Sequence, residues 1–258
     1  MMHYAVLTSG SCGNCYAFYD GEETILIDCG LTFTGLKKRL DNHSIPMESI
    51  TGMLLTHLHP DHSKGVGVFQ RKLKKPCYMS SFSFENQDSV IVKQKIEKSL
   101  VETFENGDEF DIGHFHITSF ATSHDSAGSS GYMITHEGVS YFVMTDTGRI
   151  PEAAGKLADM SVVKFIESNY DEEMLSSGPY PERLRARIRG PYGHLSNDDA
   201  AEFAVAHSKQ GDHLYFVHVS DNNNTLEKVE EIMKRRIPSG IFVKACDRGA
   251  SYEGFIDE

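Results

Sequence analysis

The 258-residue sequence contains no tryptophan and only five cysteines, an odd number that argues against a disulfide framework. It has no apolar run of the roughly 18 to 20 residues that a membrane-spanning helix needs. Its first residues lack the basic and apolar regions of a secretory signal peptide. Positive charge is also scarce, because 25 Lys and Arg face 37 Asp and Glu, a formal net charge of −12. We therefore expect a cytoplasmic protein without a membrane span and without the broad basic surface that coats nucleic acids.

Composition and length indicate an ordinary globular protein, with 40% hydrophobic and 24% charged residues. Short runs rich in Val, Ile, Phe and Tyr predict strands along the whole chain. These runs are residues 4–8, 24–28, 53–56, 77–79, 116–120, 132–135, 140–145, 162–167, 214–219 and 241–245. The predicted helices are residues 36–42, 63–73, 87–98, 197–208 and 226–236. No repeat or linker interrupts this order, so we expect one α/β (α+β) domain over residues 1–258.

The strongest functional signal is a cluster of histidines with one aspartate, directly after the apolar run 53–55. The cluster reads Thr56-His57-Leu58-His59-Pro60-Asp61-His62. In an extended segment His57 and His59 project to the same side, whereas Asp61 and His62 fall where the chain turns into a predicted helix. One segment therefore offers two imidazoles to one metal ion and a carboxylate with an imidazole to a second.

Three further ligand candidates lie at or after later predicted strands, and two ions need them because four donors are too few. His124 follows the run 116–120, Asp146 follows the run 140–145, and His218 lies in the run 214–219. A buried carboxylate at the end of an apolar strand must be paired or bound to a metal. Taken singly, Asp146 fits a turn residue as well as a metal ligand, and a histidine such as His218 is more often a core residue than a ligand. Their joint placement at strand ends favours ligands.

The order of these residues, HxHxDH followed by His, Asp and a late His, resembles the metallo-β-lactamase superfamily of binuclear hydrolases. The resemblance extends from Tyr4 to about Asn224, and within the superfamily it is strongest to the YycJ/WalJ-type group. It is carried by short motifs at residues 9–15 (SGSCGNC), 26–30 (LIDCG), 167–169 (ESN), 193–197 (GHLSN) and 218–220 (HVS).

The resemblance implies a four-layer αβ/βα sandwich with the site at one edge, between two mixed sheets. The implied ligands are His57, His59 and His124 for one divalent ion, Asp61, His62 and His218 for the other, and Asp146 as the bridge. It also implies catalytic roles for Asp61 and His194 and a supporting position for Asp28. A ligand set of nitrogen and oxygen suits Zn, Mn or Fe, and two such ions favour hydrolysis of an activated ester.

A histidine outside the ligand set favours a phosphodiester substrate. His194 precedes His218 by 24 residues. Related nucleases of the superfamily carry a histidine in a similar position, where it is associated with the scissile phosphate or with protonation of the leaving group. A turn histidine next to the Ser196 helix cap is the alternative.

Four arginines alternate just before His194, at positions 183, 185, 187 and 189. In a strand they would line one face and meet successive phosphates, whereas in a helix they would spread around the axis. We expect Arg185, Arg187, His194 and Ser196 to contact the substrate, although Ser196 also fits the N-cap of the next helix. Only 48 residues separate Asp146 from His194, too few for an inserted domain. The resemblance then implies a compact 5′-to-3′ exonuclease acting on DNA.

Two other functions stay open on the sequence. A small-molecule hydrolase, such as a thioesterase, a lactonase or a cyclic phosphodiesterase, would share the HxHxDH motif. A metal-binding regulatory protein without turnover would need the same ligands. The metal, the choice between DNA and RNA, and the oligomeric state are left open.

Overall fold

The computed structural model of the chain describes residues 2–256, whose strands form two seven-stranded sheets. The first sheet contains, in spatial order, β14 (Tyr252–Ile256), β1 (Met2–Thr8), β2 (Cys15–Tyr19), β3 (Thr24–Ile27), β4 (Ile50–Leu54), β5 (Cys77–Ser80) and β6 (Val101–Phe104). The second contains β13 (Phe242–Ala245), β12 (His213–Val217), β11 (Val163–Glu167), β10 (Val139–Met144), β9 (Ser130–His136), β8 (Phe115–Ala121) and β7 (Glu109–Ile112).

The helices lie between the strands along the chain. They are α1 (Phe33–Asn42), α2 (Pro60–Ser63), α3 (Val66–Leu73), α4 (Ser81–Asn86), α5 (Asp88–Gln94), α6 (Ala154–Met160), α7 (Glu172–Ser177), α8 (Glu182–Arg189), α9 (Asn197–Ala206) and α10 (Leu226–Arg236). Within residues 2–256, none of them has the length and apolarity to cross a bilayer.

The two sheets pack face to face around an aromatic core. Tyr4 and Phe18 of the first sheet contact Tyr141 and Phe165 of the second, with ring centroids 5.6 to 5.9 Å apart. The outer face of the first sheet packs against α1, α3 and α5, and that of the second against α6, α9 and α10. Each sheet therefore has one apolar face toward the other sheet and one toward helices. The expected four-layer αβ/βα sandwich is confirmed.

Each sheet is antiparallel on one side and parallel on the other. The parallel pairs are β3–β4–β5–β6 in the first sheet and β10–β11–β12–β13 in the second. Because parallel strands end at the same edge, the segments that follow β3, β4, β10, β11 and β12 lie close together. All the predicted ligands except His124 come from these segments, and His124 follows the antiparallel strand β8.

The structure decides one question that the sequence left open and corrects one predicted helix. The alternating arginines do not form a strand, because residues 182–189 form α8. Leu184 and Ile188, four residues apart, place one helical face against a small apolar cluster around Tyr170 and Leu175. The helix predicted at residues 63–73 is divided into α2 and α3, with Gly65 between them. A Cβ at Gly65 would lie 2.2 Å from the Leu31 carbonyl oxygen, so the chains approach closely there.

The sequence also missed four short strands, β2, β6, β7 and β14, and four short helices, α4, α6, α7 and α8. These elements span four to eight residues. Such segments are too short for a periodic pattern to be distinctive, and they form because neighbouring elements pack against them.

Candidate metal centre

The site is built on strained backbone at the ends of strands. Asp28 after β3, Asp146 after β10 and His218 after β12 all have positive φ, of 61°, 53° and 56°. Left-handed backbone costs a non-glycine residue about 1–3 kcal/mol, and such residues cluster at functional sites. All three side chains are buried. The fold therefore holds three charged or imidazole side chains in conformations that an unconstrained loop would avoid.

One histidine triad comprises His57, His59 and His124, whose ligand atoms lie within 4.8 Å of one another. The Nε2 of His124 is 3.2 Å from the Nδ1 of His59. The ring of His57 lies edge-on to both partners, with centroids 4.7 and 5.0 Å away. Three imidazole nitrogens converging in this way are a typical zinc ligand set.

A second triad comprises Asp61, His62 and His218. The Oδ2 of Asp61 is 3.6 Å from the Nε2 of His62 and 3.7 Å from the Nε2 of His218. Pro60 occupies the first turn of α2, so the chain bends directly after His59. Asp61 and His62 then face His218, while the ring of His62 stays 4.1 Å from that of His57. The bend predicted within the HxHxDH motif is thus present.

Asp146 lies between the two triads. Its Oδ2 is 3.3 Å from the Nε2 of His62, and its Oδ1 is 3.7 Å from the Nε2 of His124. The Oδ2 of Asp146 and the Nε2 of His57 are buried and have no hydrogen-bond partner among residues 2–256. Buried polar atoms without partners are rare because each carries a desolvation cost. Two divalent ions would satisfy both atoms, so the residues present fit a binuclear centre.

Asp28 and Thr56 orient His62 and His57 through hydrogen bonds to the ring nitrogens that face away from the site. Asp28 is fully buried and accepts hydrogen bonds from the Nδ1 of His62 at 2.7 Å and from the Thr56 backbone N–H at 2.8 Å. The Thr56 hydroxyl donates to Asp28 and accepts from the Nδ1 of His57 at 3.0 Å. With the proton of each ring on Nδ1, the lone pair of Nε2 faces the site. The amide nitrogen of Asn14 lies 2.9 Å from the Nε2 of His62, a contact that a metal ion would replace.

The electrostatics of the two triads differ. Burial, reinforced by the neighbouring imidazoles, lowers the pKa of His57 and His59, so both rings are neutral and able to bind a metal. Burial also disfavours a charge on His62, but Asp146 and Asp28 outweigh this effect and raise its pKa to about 9. The carboxylates therefore favour positive charge in this half of the site, and an incoming cation would take the place of a proton.

Glu167, at the end of β11, is a site residue whose role the sequence interpretation missed. Its side chain is fully buried, and its Oε1 accepts hydrogen bonds from the Nδ1 atoms of His194 at 2.7 Å and His218 at 2.8 Å. Its Oε2 accepts from the backbone N–H groups of Thr147 and Leu195 at 3.1 and 3.2 Å. The argument that selected Asp146, a carboxylate at the end of an apolar strand, applies equally to Glu167 and would have found it.

A cavity of about 260 Å³ opens beside both triads, and His194 and Arg187 contribute to its lining. The ring of His194 lies 5.1 Å from that of His124 and 5.4 Å from that of His218. Arg187 donates to the Oδ2 of Asp125 at 2.5 Å, and Asp125 in turn approaches His59 at 3.6 Å. α8 forms one wall of this cavity through Leu184, Arg187 and Ile188.

Two of the residues expected to contact substrate lie elsewhere. Arg185 donates to the Ser176 carbonyl and pairs with Glu182 at 2.8 Å, and it does not line the cavity. The hydroxyl of Ser196 accepts from the Asp199 backbone N–H at 3.1 Å, which caps α9. The structure therefore brings together the predicted ligands, His194 and Arg187, but not Arg185 or Ser196.

Comparison with known proteins identifies the family. Residues 23–219 match the beta-lactamase superfamily domain. Exodeoxyribonuclease WalJ of Streptococcus pneumoniae is 31% identical over 235 residues, which cover 91% of this chain and 87% of that protein. Exodeoxyribonuclease YycJ of Bacillus anthracis is 31% identical over 253 residues, covering 98% and 94%. The metallo-β-lactamase fold protein YhfI of Bacillus subtilis superposes with a TM-score of 0.73 at 19% identity, covering 98% and 99% of the chains.

These matches confirm the family and the enzyme class expected from the HxHxDH motif and the later His and Asp residues. The chain belongs to the metallo-β-lactamase superfamily, in its WalJ/YycJ-like group, and is a metal-dependent hydrolase.

Proposed function

We propose that this hydrolase is a nuclease that removes nucleotides from DNA, from the 5′ end toward the 3′ end. The observation that carries the proposal is the single cavity in which His194 and Arg187 adjoin both ligand triads. The names of the two curated relatives, both exodeoxyribonucleases, support a DNA substrate. The polarity rests on the resemblance to the YycJ/WalJ-type group.

The predicted ligands divide between two ions. His57, His59 and His124 would hold one ion, Asp61, His62 and His218 the other, and Asp146 would contact both. When bound, two divalent ions of Zn, Mn or Fe supply an activated water and neutralise the charge that develops on the phosphate. Asp28 and Glu167 keep the ligand histidines in the tautomer that directs a lone pair inward.

His194 is placed to act as the general acid. Its Nδ1 donates to Glu167, so its Nε2 is the nitrogen left for the substrate. Burial disfavours the charged ring, but Glu167 and Asp146 outweigh this effect and raise the pKa of His194. In this role the Nε2–H protonates the departing oxygen of the cleaved phosphodiester, a contribution of typically 10²- to 10⁴-fold in rate.

Arg187 is the arginine of α8 placed to bind the phosphate. Its ion pair with Asp125 keeps the guanidinium at the mouth of the cavity. A substrate phosphate would share Arg187 with that carboxylate or replace it, because guanidinium forms bidentate hydrogen bonds with both carboxylates and phosphates. Asp125 thus holds Arg187 in position before the substrate arrives.

Tyr192, two residues before His194 in the chain, offers a position for base stacking. Tyr192 is 56% exposed, and the guanidinium of Arg149 lies 5.9 Å from the centre of its ring. An exposed aromatic ring with an adjacent cation suits a nucleobase of any sequence. A cavity of about 260 Å³ is small, and it accommodates a strand end better than an intact duplex. Both features favour exonuclease action.

The five cysteines are free thiols, which fits a reducing compartment, and we propose a cytoplasmic location.

The test uses single-stranded and duplex DNA, and RNA of the same sequence, labelled at the 5′ or the 3′ end. The protein is first treated with chelator and then loaded with Zn, Mn or Fe. We expect successive release of nucleotides from the 5′ end of DNA. The proposal fails if no metal supports cleavage of DNA or RNA while a thioester or lactone is hydrolysed. His207, a half-buried residue that is hydrogen-bonded to the Asp159 carboxylate, provides the matched control for His194 variants.

A further inference from the structure

A second histidine–carboxylate cluster lies far from the candidate metal centre. Ser9, directly after β1, accepts a hydrogen bond from the backbone N–H of His218 at 2.7 Å, so this end of β1 adjoins the metal centre. His3 lies near the other end of the same strand, six residues or about 20 Å away. It meets His43, the C-cap of α1, and Glu253 of β14. The cluster therefore joins three elements from the two ends of the described chain.

The geometry of this cluster is set by the β1–β14 ladder. His3 pairs with Phe255 and Ala5 pairs with Glu253 in the antiparallel register. His3 and Glu253 are therefore diagonal neighbours on one face of the sheet. The ring of His3 stacks on Phe255, with centroids 4.3 Å apart and an interplanar angle of 19°. α1 packs against the same face and places His43 over the pair. All three side chains are thus fixed by regular elements.

The ligand atoms converge on a small volume. The Oε2 of Glu253 is 3.0 Å from the Nε2 of His3 and 2.8 Å from the Nδ1 of His43. The three donor atoms lie within 4.8 Å of one another. Donors about 2.0–2.1 Å from a tetrahedral zinc ion are about 3.3 Å apart. The observed separations therefore need only a small expansion to admit an ion.

The charge states of His3 and Glu253 suit a cation. Burial lowers the pKa of His3 despite the neighbouring carboxylate, so its ring is neutral at pH 7. The hydrogen bond from His43 lowers the pKa of Glu253, which is therefore ionised. The side chain of His43 is only 8% exposed, and its Nδ1 is the nitrogen that faces Glu253. The side chain of Glu253 is 44% exposed, which leaves a route from solvent and room for a water as fourth ligand.

We propose that His3, His43 and Glu253 form a third metal site, which binds zinc or a similar divalent transition metal and clips β14 and α1 to β1. The site is separate from the hydrolase centre and does not depend on the proposed nuclease function. Its role is structural. β14 is a half-exposed strand at the edge of the first sheet, and a ligand shared between positions 3 and 253 closes a loop of almost the whole chain. Cross-links that close long loops remove the most conformational entropy from the unfolded state.

The experiment counts zinc in the intact chain. The wild type, His43→Gln and Glu253→Gln are dialysed against one fixed free zinc concentration, and zinc and protein are then measured by elemental analysis and absorbance. We expect each variant to bind one zinc fewer per chain than the wild type. Hydrolysis of bis-p-nitrophenyl phosphate should be unchanged in both variants, because neither residue belongs to the hydrolase centre.

The matched control is His116→Gln. His116 is also a surface histidine beside two carboxylates, with Asp111 at 2.8 Å and Glu109 at 3.6 Å, and its substitution should not change the zinc count. Zinc should also raise the melting temperature of the wild type more than that of His43→Gln. If His43→Gln does not fold, the zinc count of Glu253→Gln decides the test. The proposal is overturned if the folded variants bind as much zinc as the wild type.

Discussion

Glu167→Gln tests whether one buried carboxylate orients both a ligand and the proton donor. Glu167 accepts four hydrogen bonds, two from imidazole Nδ1 atoms and two from backbone N–H groups. Glutamine has nearly the same shape but carries two donors in place of one oxygen. If its NH₂ faces the imidazoles, the Nδ1 atoms of His194 and His218 must accept, so the proton of each ring moves to Nε2. His218 then directs an N–H at the cavity instead of a lone pair, and His194 loses the carboxylate that raises its pKa.

If the NH₂ instead faces the backbone, two buried N–H groups lose their acceptor, at about 1–3 kcal/mol each. The arrangement with the NH₂ toward the imidazoles avoids this cost. In it, His218 has no lone pair to offer a metal ion. Loss of such a supporting partner typically costs 10- to 100-fold in metal affinity or activity, or about 1.4–2.8 kcal/mol. We expect kcat for bis-p-nitrophenyl phosphate to fall by that factor and metal content at a limiting free metal concentration to fall with it.

The assay compares Glu167→Gln with Glu202→Gln, an exposed position on α9. Metal content is measured by elemental analysis and folding by the melting temperature. If Glu167→Gln retains wild-type metal content and kcat, Glu167 does not position the two histidines and the reasoning is refuted.

Three further predictions follow from the same geometry. His194→Ala should retain its metals but lose about 10²- to 10⁴-fold in kcat, and equal rates for this variant and wild type would exclude a role in proton transfer. Arg187→Ala should weaken DNA binding and reduce the slope of log affinity against log salt by about one; an unchanged slope in a fluorescence-anisotropy titration would show that this arginine does not meet a phosphate. Phe165→Ala should lower the free energy of unfolding by about 3–5 kcal/mol, because the ring is fully buried between the sheets and stacks on Tyr215 at 5.2 Å. A loss below 1 kcal/mol in urea denaturation would contradict that packing.

The sequence predicted the metal centre better than its surroundings. His57, His59, Asp61 and His62 are adjacent in the chain, so their ligand chemistry is visible without a fold. Asp146 required the additional argument that a carboxylate at the end of an apolar strand needs a partner. The structure now places all of these residues around one centre, together with His124 and His218.

The contacts around the centre depended on three-dimensional packing. Whether Arg185 or Arg187 faces the cavity is decided by the helical conformation of α8, and the alternating pattern left strand and helix open. The apolar spacing of Leu184 and Ile188 was the signal for a helix, because four residues make about one helical turn. His3 and Glu253 are 250 residues apart, and no local pattern relates them. Only the pairing of β14 with β1 brings them together.

The most direct test of the account is the metal dependence of DNA cleavage in a matched pair of proteins, wild type and Asp146→Asn. Asparagine tolerates the left-handed backbone of this position, so the substitution removes the central charge while keeping the shape. The account predicts that chelated wild type is inactive, that Zn, Mn or Fe restores cleavage of end-labelled DNA, and that no metal restores Asp146→Asn to the wild-type rate. Cleavage by the chelated wild type at the rate of the metal-loaded protein, or full activity of Asp146→Asn, would contradict the account.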